Sequence, residues 1–182
     1  KCDKLFITTS GIGFLRKEWA HLGSAARVCP GDQLILSGNL GDHALAVLGA
    51  RKQLSFTTSL RSDCACLNHL IRKVLEKCSG VKFMRDVTRG GLASVLNELA
   101  SMTGKGILIN ESQVPVSDQV RGMCEMLGFD PFYLANEGKV VFVVSEDDTS
   151  EVLEILKADP LGINNRIIGE VNPSGDNRVV LS

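Results

Sequence analysis

The sequence predicts an α+β domain in which helices cover a layered, mixed β-sheet. Short β-branched or apolar runs, bounded by glycine, asparagine or proline turns, recur along the chain. Amphipathic stretches with the 3.6-residue period follow some of these runs, as in strand–helix units. Other runs are separated only by a turn, as antiparallel neighbours are, so a mixed sheet fits better than a purely parallel one. The 182 residues suit one domain spanning 1–182, with length enough to bury a sizeable core.

The first strand expected is Leu5–Thr9, followed by the turn Ser10-Gly11-Ile12-Gly13. Gly31-Asp32 turns into a second strand, Gln33–Leu36, and the glycine-rich Ser37–His43 loop leads into a helix over Ala44–Arg51. Ser62 or Asp63 is placed to cap a helix running to Lys77, with Leu67, Leu70, Ile71, Val74 and Leu75 on one face. Val81–Met84 approaches a polar loop, after which Leu92, Val95, Leu96 and Leu99 mark a helix. Gly106–Asn110 reads as a strand, Pro115–Leu127 as a helix and Lys139–Val144 as a strand. Asp148 with Glu151 resembles a capping box for a helix ending near Lys157. Arg166–Val171 and Arg178–Leu181 are the closing strands, around the turn Asn172-Pro173-Ser174-Gly175.

Composition narrows the function classes. The chain is 44% hydrophobic and 23% charged, and no apolar run reaches membrane-spanning length. A net charge of -1, with basic residues scattered, argues against a nucleic-acid face or a membrane-surface helix. The six cysteines, Cys2, Cys29, Cys64, Cys66, Cys78 and Cys124, have no framework spacing, and no metal site is expected. Cys64 and Cys66 fall within the helix expected there, where i and i+2 do not share a face. Reduced structural thiols in a cytoplasmic protein are the expectation. No signal-peptide pattern is present, and the chain opens almost at once on its first strand. That abruptness suggests a piece of a longer protein, although a trimmed terminus would look the same.

Three loops concentrate polar chemistry. In the first, Asp86, Thr88, Arg89, Gly90 and Gly91 stand between a strand and a helix start. Unpaired backbone N–H groups and the helix dipole favour an anion there, and Arg89 would add a planar cation. The simpler alternative is a helix cap at Thr88 with two glycines that permit tight packing. In the second, Ser37-Gly38-Asn39-Leu40-Gly41-Asp42-His43, Asp42 suits a helix start and His43 is a surface or core residue unless both line a cleft. In the third, Asn136-Glu137-Gly138-Lys139, Glu137 is either an exposed turn acid or a carboxylate aimed into a cleft at a strand entrance.

Together these segments resemble the hydrogenase maturation factor HypE family of the AIR synthase-related superfamily. Asp86–Leu92 is similar to its D-x-T-R-G-G-L segment, and Ser37–His43 to its S-G-x-x-G-D-H segment. Leu134–Lys139 is similar to its A-N-E-G-K segment, and Thr8–Gly13 to its T-T-x-G-I-G segment. The four occur in the family's order across nearly the whole chain. The resemblance covers the family's carboxy-terminal domain and implies a layered fold with partly ferredoxin-like topology. The family's amino-terminal ATP domain and its Pro-Arg-Ile-Cys tail have no counterpart between Lys1 and Ser182, so no cysteine here is assigned the acceptor role.

The resemblance implies that the full-length protein, a homodimer, uses ATP and magnesium. A partner carbamoyltransferase loads its terminal cysteine. The resulting thiocarboxamide is dehydrated to a thiocyanate, and cyanide passes to iron on a scaffold complex of the nickel–iron hydrogenase. It assigns Thr88, Arg89, Gly90 and Gly91 to the phosphates, and Asp86 to orienting their loop. It assigns Glu137 to the base or to orienting the amide, Asn136 to a hydrogen-bonding neighbour, and Asp42 and His43 to the lining of the same cleft or to the domain interface. No nucleotide or metal is expected on this chain alone, and alone it is expected to be inactive. Other ATP-using members of the superfamily remain open: AIR synthase, formylglycinamidine synthase, selenophosphate synthetase and thiamine monophosphate kinase. A domain that only docks partner proteins is a further possibility.

Overall fold

In the computed structural model, residues 8, 10–51, 59–173 and 176–182 are described. The expected first strand, apart from Thr8, therefore lies outside the described residues, as do Cys2, Thr9 and the tip of the last turn at 174–175. The described strands are β1 (Gln33–Leu36), β2 (Val81–Asp86), β3 (Gly106–Ile109), β4 (Val140–Val144), β5 (Arg166–Asn172) and β6 (Val179–Leu181). They form one sheet in the order β2-β4-β1-β5-β3-β6. Every pairing is antiparallel except β3 with β6, which is parallel. The sheet is mixed, as expected, and the family fold is present.

Strand β4 lies between β2 and β1 and is buried along its whole length, which explains its unbroken run of valine and phenylalanine. Val141 and Val143 join one core with Leu34, Leu36, Phe83 and helix α3 (Gly91–Thr103). Val140, Phe142 and Val144 join a second core with Leu70 and Val74 of α2 (Asn68–Lys77) and Val152 and Leu156 of α5 (Glu146–Lys157). The sheet is thus sandwiched between helical layers, and removing each large side chain such as Phe142 from water contributes roughly 2–3 kcal/mol. Helices α1 (Asp42–Ala50) and α4 (Asp118–Leu127) pack together in a smaller cluster through Leu45, Val120 and Met123.

Two bulges break the strict alternation. On β2, Val81 and Phe83 pair with the adjacent Val144 and Val143, so Lys82 is the extra residue. Val81 and Phe83 consequently enter opposite cores, and Lys82 reaches the buried carboxylate of Asp32 at 2.6 Å. On β5, Gly169 and Ile167 pair with the adjacent Leu34 and Ile35.

Three helix starts differ from expectation. Residues 59–67 run as an irregular strap, and α2 begins only at Asn68. Ser62 and Asp63 do not cap it, because the N-cap is Leu67. Ser62 contacts His43 and accepts the Cys64 N–H, Asp63 accepts the Glu137 N–H, and Cys64 and Cys66 lie outside any helix. Helix α4 begins at Asp118 rather than Pro115, since the Ser117 hydroxyl accepts the Val120 N–H. The box between Asp148 and Glu151 is not formed. Helix α5 begins at Glu146, and Asp148 instead accepts the Gly80 N–H at 2.6 Å.

Candidate functional site

Register brings the three polar loops together. Asp86 at the end of β2 pairs with Val140 at the start of β4, and Leu36 at the end of β1 pairs with Val141. The chain leaves β1 and β2, and enters β4, at the same end of the sheet. The 86–91, 37–41 and 134–139 loops are therefore neighbours there.

The first loop is held from within. Thr88 donates its hydroxyl to Asp86 at 2.7 Å, so Asp86 orients the loop and Thr88 is not a helix cap. Gly90 is the N-cap of α3, with φ of 80°, and no side chain caps the helix. Gly91 donates its N–H to the Thr88 carbonyl at 3.0 Å, and the N–H groups of Leu92 and Ala93 are the ones left for an anion. Gly91 is buried, with φ of 64°, and a Cβ there would strike the carbonyl oxygens of Phe132 and Leu134. Close approach of the third loop thus requires glycine at 91. Arg89 projects as an exposed residue beside this turn.

The third loop is sewn to the first. Val87 donates its N–H to Lys139, and the Asn136 N–H donates to Val87, each at 3.1 Å. Asn136 is fully buried. Its Oδ1 accepts the Gly41 N–H at 2.8 Å, and its Nδ2 donates to Val87 and Leu134 at 3.0 and 2.9 Å. With its amide so engaged, Asn136 joins three loops rather than presenting a group to a ligand. Glu137, next in sequence, is exposed.

The outcome is an open, polar cleft of about 490 Å³ lined by Thr88, Arg89, Gly90, Ala135 and Glu137. A recess of similar size between α5 and β5, about 480 Å³, contains none of the expected site residues. Asp42 and His43 do not line the polar cleft. Asp42 faces an adjoining recess of about 140 Å³ with Asp63 and Lys139. Burial pushes the Asp42 carboxyl above the usual aspartate range; Lys139 opposes this and the charge of Asp63 adds to it. His43 meets the Ser62 hydroxyl through Nδ1 at 2.8 Å.

Asp63 is the residue that sequence reasoning overlooked. Its side chain is 4% exposed, forms an ion pair with Lys139 at 2.9 Å, and accepts the Glu137 N–H at 3.0 Å. Its local signal, a Ser-Asp pair before an amphipathic run, is that of a helix cap, and its true partner lies 74 positions away. Cys29, Cys64, Cys66, Cys78 and Cys124 are free thiols. Among the described residues no three His, Cys, Asp or Glu side chains group to hold a metal ion, and no helix is long and apolar enough to cross a membrane.

Comparison with known proteins agrees with this geometry. Residues 29–182 match the family described as AIR synthase related protein, C-terminal domain. Carbamoyl dehydratase HypE of Cupriavidus necator is 44% identical over 175 residues, which cover 96% of this chain and 49% of that protein. The chain thus spans about half the length of the curated relatives it matches. A crystal structure of a HypE–HypF complex aligns with a TM-score of 0.82 and 45% identity, covering 87% of this chain and 51% of that one. Hydrogenase maturation protein HypE in complex with ATP aligns with a TM-score of 0.81 and 38% identity, covering 87% and 49%. Similar to HypE over nearly its whole length, the chain belongs to the AIR synthase related protein, C-terminal domain family.

Proposed function

We propose that this chain is the carboxy-terminal domain of an ATP-dependent carbamoyl dehydratase acting in hydrogenase maturation in the cytoplasm. The observation that carries the proposal is the cleft in which the uncapped start of α3, with Thr88, Arg89 and Gly90, faces Glu137. The HypE relatives and the ATP complex of one of them support it.

An amide oxygen is a poor leaving group, and transfer of the γ-phosphoryl group of ATP to it makes a good one, with ADP released. Loss of one proton from nitrogen gives a phosphorylated imidate. Loss of the second, with departure of phosphate and cleavage of the C–O bond, forms the C≡N bond of a thiocyanate. The first-turn N–H groups of α3 and the Arg89 guanidinium are suited to the phosphoryl oxygens, where charge develops. Glu137 is suited to accept the nitrogen protons, being a carboxylate on the opposite wall of the same cleft. Asp86 holds Thr88 and orients the phosphate loop. The carbamoyl group would come from a partner carbamoyltransferase, and the cyanide would leave to an iron-bearing scaffold. The similarity to HypE in a HypE–HypF complex supports a docking role alongside catalysis.

The test is Glu137→Gln in the whole protein, with ATP and the carbamoylated tail saturating. Conversion of thiocarboxamide to thiocyanate should fall about a hundredfold, as for loss of a placed general base, while ATP affinity is retained. A rate near that of the unmodified protein would make Glu137 a turn acid and refute the assignment.

A further inference from the structure

We propose that Asp63, on the irregular strap before α2, is the positioning residue for Glu137, whose backbone it anchors. The inference rests on the reading of Glu137 as the base.

Glu137 is exposed, and a side chain reaching from a loop into a cleft is only as well placed as its backbone. The preceding peptide is fixed by Asn136 and the following one by the bond between Val87 and Lys139. The N–H of Glu137 itself donates to Oδ1 of Asp63 at 3.0 Å. A carboxyl oxygen is the acceptor, held in place by a second contact of the same group. The other oxygen, Oδ2, faces Lys139 Nζ at 2.9 Å, with the Asp63 and Lys139 side chains only 4% and 11% exposed. A buried carboxylate without such a partner would be costly, and Lys139 offsets that cost where Asp63 binds Glu137.

The strap is seated on the loop as well as bonded to it. A Cβ on Gly138 would collide with the Asp63 carbonyl oxygen, so the backbone at 63 lies directly against the residue after Glu137. Further along, Ser62 binds His43 at 2.8 Å and Ser59 binds Gln119 at 3.0 Å, tying the strap to α1 and α4. The strap is thus tied to two helices as well as to the backbone of Glu137. This accounts for a buried acid and lysine that the dehydration chemistry does not itself use.

The test uses three variants of the whole protein beside Glu137→Gln. Asp63→Ala removes the acceptor. Asp63→Glu keeps the charge for Lys139 but moves the acceptor by a methylene. Asp63→Asn keeps a neutral acceptor in place. Misplacement of about 1 Å is enough to lose catalysis, so kcat for dehydration should fall about tenfold or more in Asp63→Ala and Asp63→Glu. It should stay within about threefold in Asp63→Asn, with KM for ATP changed by less than about twofold throughout. If Asp63→Ala fails to fold, Asp63→Glu, which retains the ion pair, decides the matter. A kcat for Asp63→Glu within about threefold of the unmodified protein would overturn the proposal. So would a loss in Asp63→Asn as large as that in Asp63→Glu, since charge rather than the hydrogen bond would then be responsible. If Glu137→Gln is itself fully active, there is no base to position and both readings fall. If Glu137→Gln is inactive while Asp63→Glu is not, only this one falls.

Discussion

The side-chain oxygen of Asn136 accepts the backbone N–H of Gly41 at 2.8 Å, joining segments 95 residues apart. The same side chain donates to the carbonyls of Val87 and Leu134, so one buried amide unites all three loops of the site. Gly41 has φ of 89° at the N-cap of α1, which leaves its N–H directed at Asn136 instead of into the helix.

Replacing Asn136 with alanine should therefore cost far more than an average polar substitution. The Gly41 N–H and the Leu134 carbonyl are stranded, each worth about 1–3 kcal/mol, while the Val87 carbonyl keeps the Asn136 backbone N–H. The expected loss is about 3 kcal/mol or more, a fall in Tm of about 6–12 °C for a domain of this size, measured by denaturation of the purified chain. Asn136→Asp keeps the oxygen toward Gly41 but turns a second oxygen on two carbonyls, and should be no more stable than the alanine variant.

The strands were legible because burial leaves a local trace. The Val140–Val144 run announces a central strand, and the Gly90–Gly91 pair announces a close turn. The two bulges leave no such trace: Lys82 looks like an ordinary outward residue until its pairing with Asp32 is seen. The strap was misread for a related reason. The apolar period that begins at Leu67 belongs to α2, and Ser62 and Asp63 upstream have a cap's chemistry but non-local partners. For the site, sequence singled out Thr88, Arg89, Gly90 and Glu137, which share one cleft, and missed the carboxylate between Glu137 and Lys139. Motif spacing reports neighbours along the chain, whereas Asp63 acts across 74 positions.

Gly90 and Gly91 at the start of α3 should respond differently to alanine. At Gly91 the new Cβ meets carbonyl oxygens of the backbone, 2.7 Å from Leu134, which cannot move without displacing the Asn136 loop. A loss of about 3 kcal/mol or more is expected from strain and clash together. At Gly90 the obstacle is the Ser94 hydroxyl, a side chain able to rotate, so the cost should be about 1–2 kcal/mol. Adding Ser94→Ala to Gly90→Ala should recover part of it. Urea denaturation of the three variants checks the order, and equal losses at 90 and 91 would contradict it.

Thiol reactivity should divide by burial. Cys29, Cys64 and Cys66 are exposed, whereas Cys78 and Cys124 are buried. Burial, reinforced by Glu151 and Asp148, pushes the Cys78 thiol up to about 11, and burial with Asp130 raises Cys124 as well. At pH 8 about one Cys78 in a thousand is thiolate, the only form that attacks an alkylating reagent. Mass spectrometry after brief alkylation should find the first three modified and Cys78 and Cys124 intact. Labelling of Cys78 at the rate of Cys64 would mean that the second core opens readily.

The acid limit of stability should depend on Asp159, which closes the end of α5 onto α2. Its carboxylate accepts the Leu161 N–H at 3.1 Å and meets both Lys73 Nζ and His69 Nε2 at 3.3 Å. The Leu161 hydrogen bond, with smaller help from Lys73 and His69 and against the cost of burial, holds this carboxyl below the usual aspartate value. A carboxyl whose pKa is lower folded than unfolded adds stability that is complete above the unfolded value, near pH 4. That contribution is lost as the pH falls through the folded value. Lys73 and His69 are half exposed, so solvent screens their share and the neutral-pH cost of Asp159→Asn should be only about 1 kcal/mol. The diagnostic effect is the slope: between about pH 5 and pH 2.5 the variant's Tm should fall less steeply than that of the unmodified chain, because one native-state carboxylate no longer has to be protonated. Parallel Tm–pH curves over that window would show that Asp159 binds its proton equally in both states, and that the contacts to Leu161, Lys73 and His69 contribute nothing to acid sensitivity.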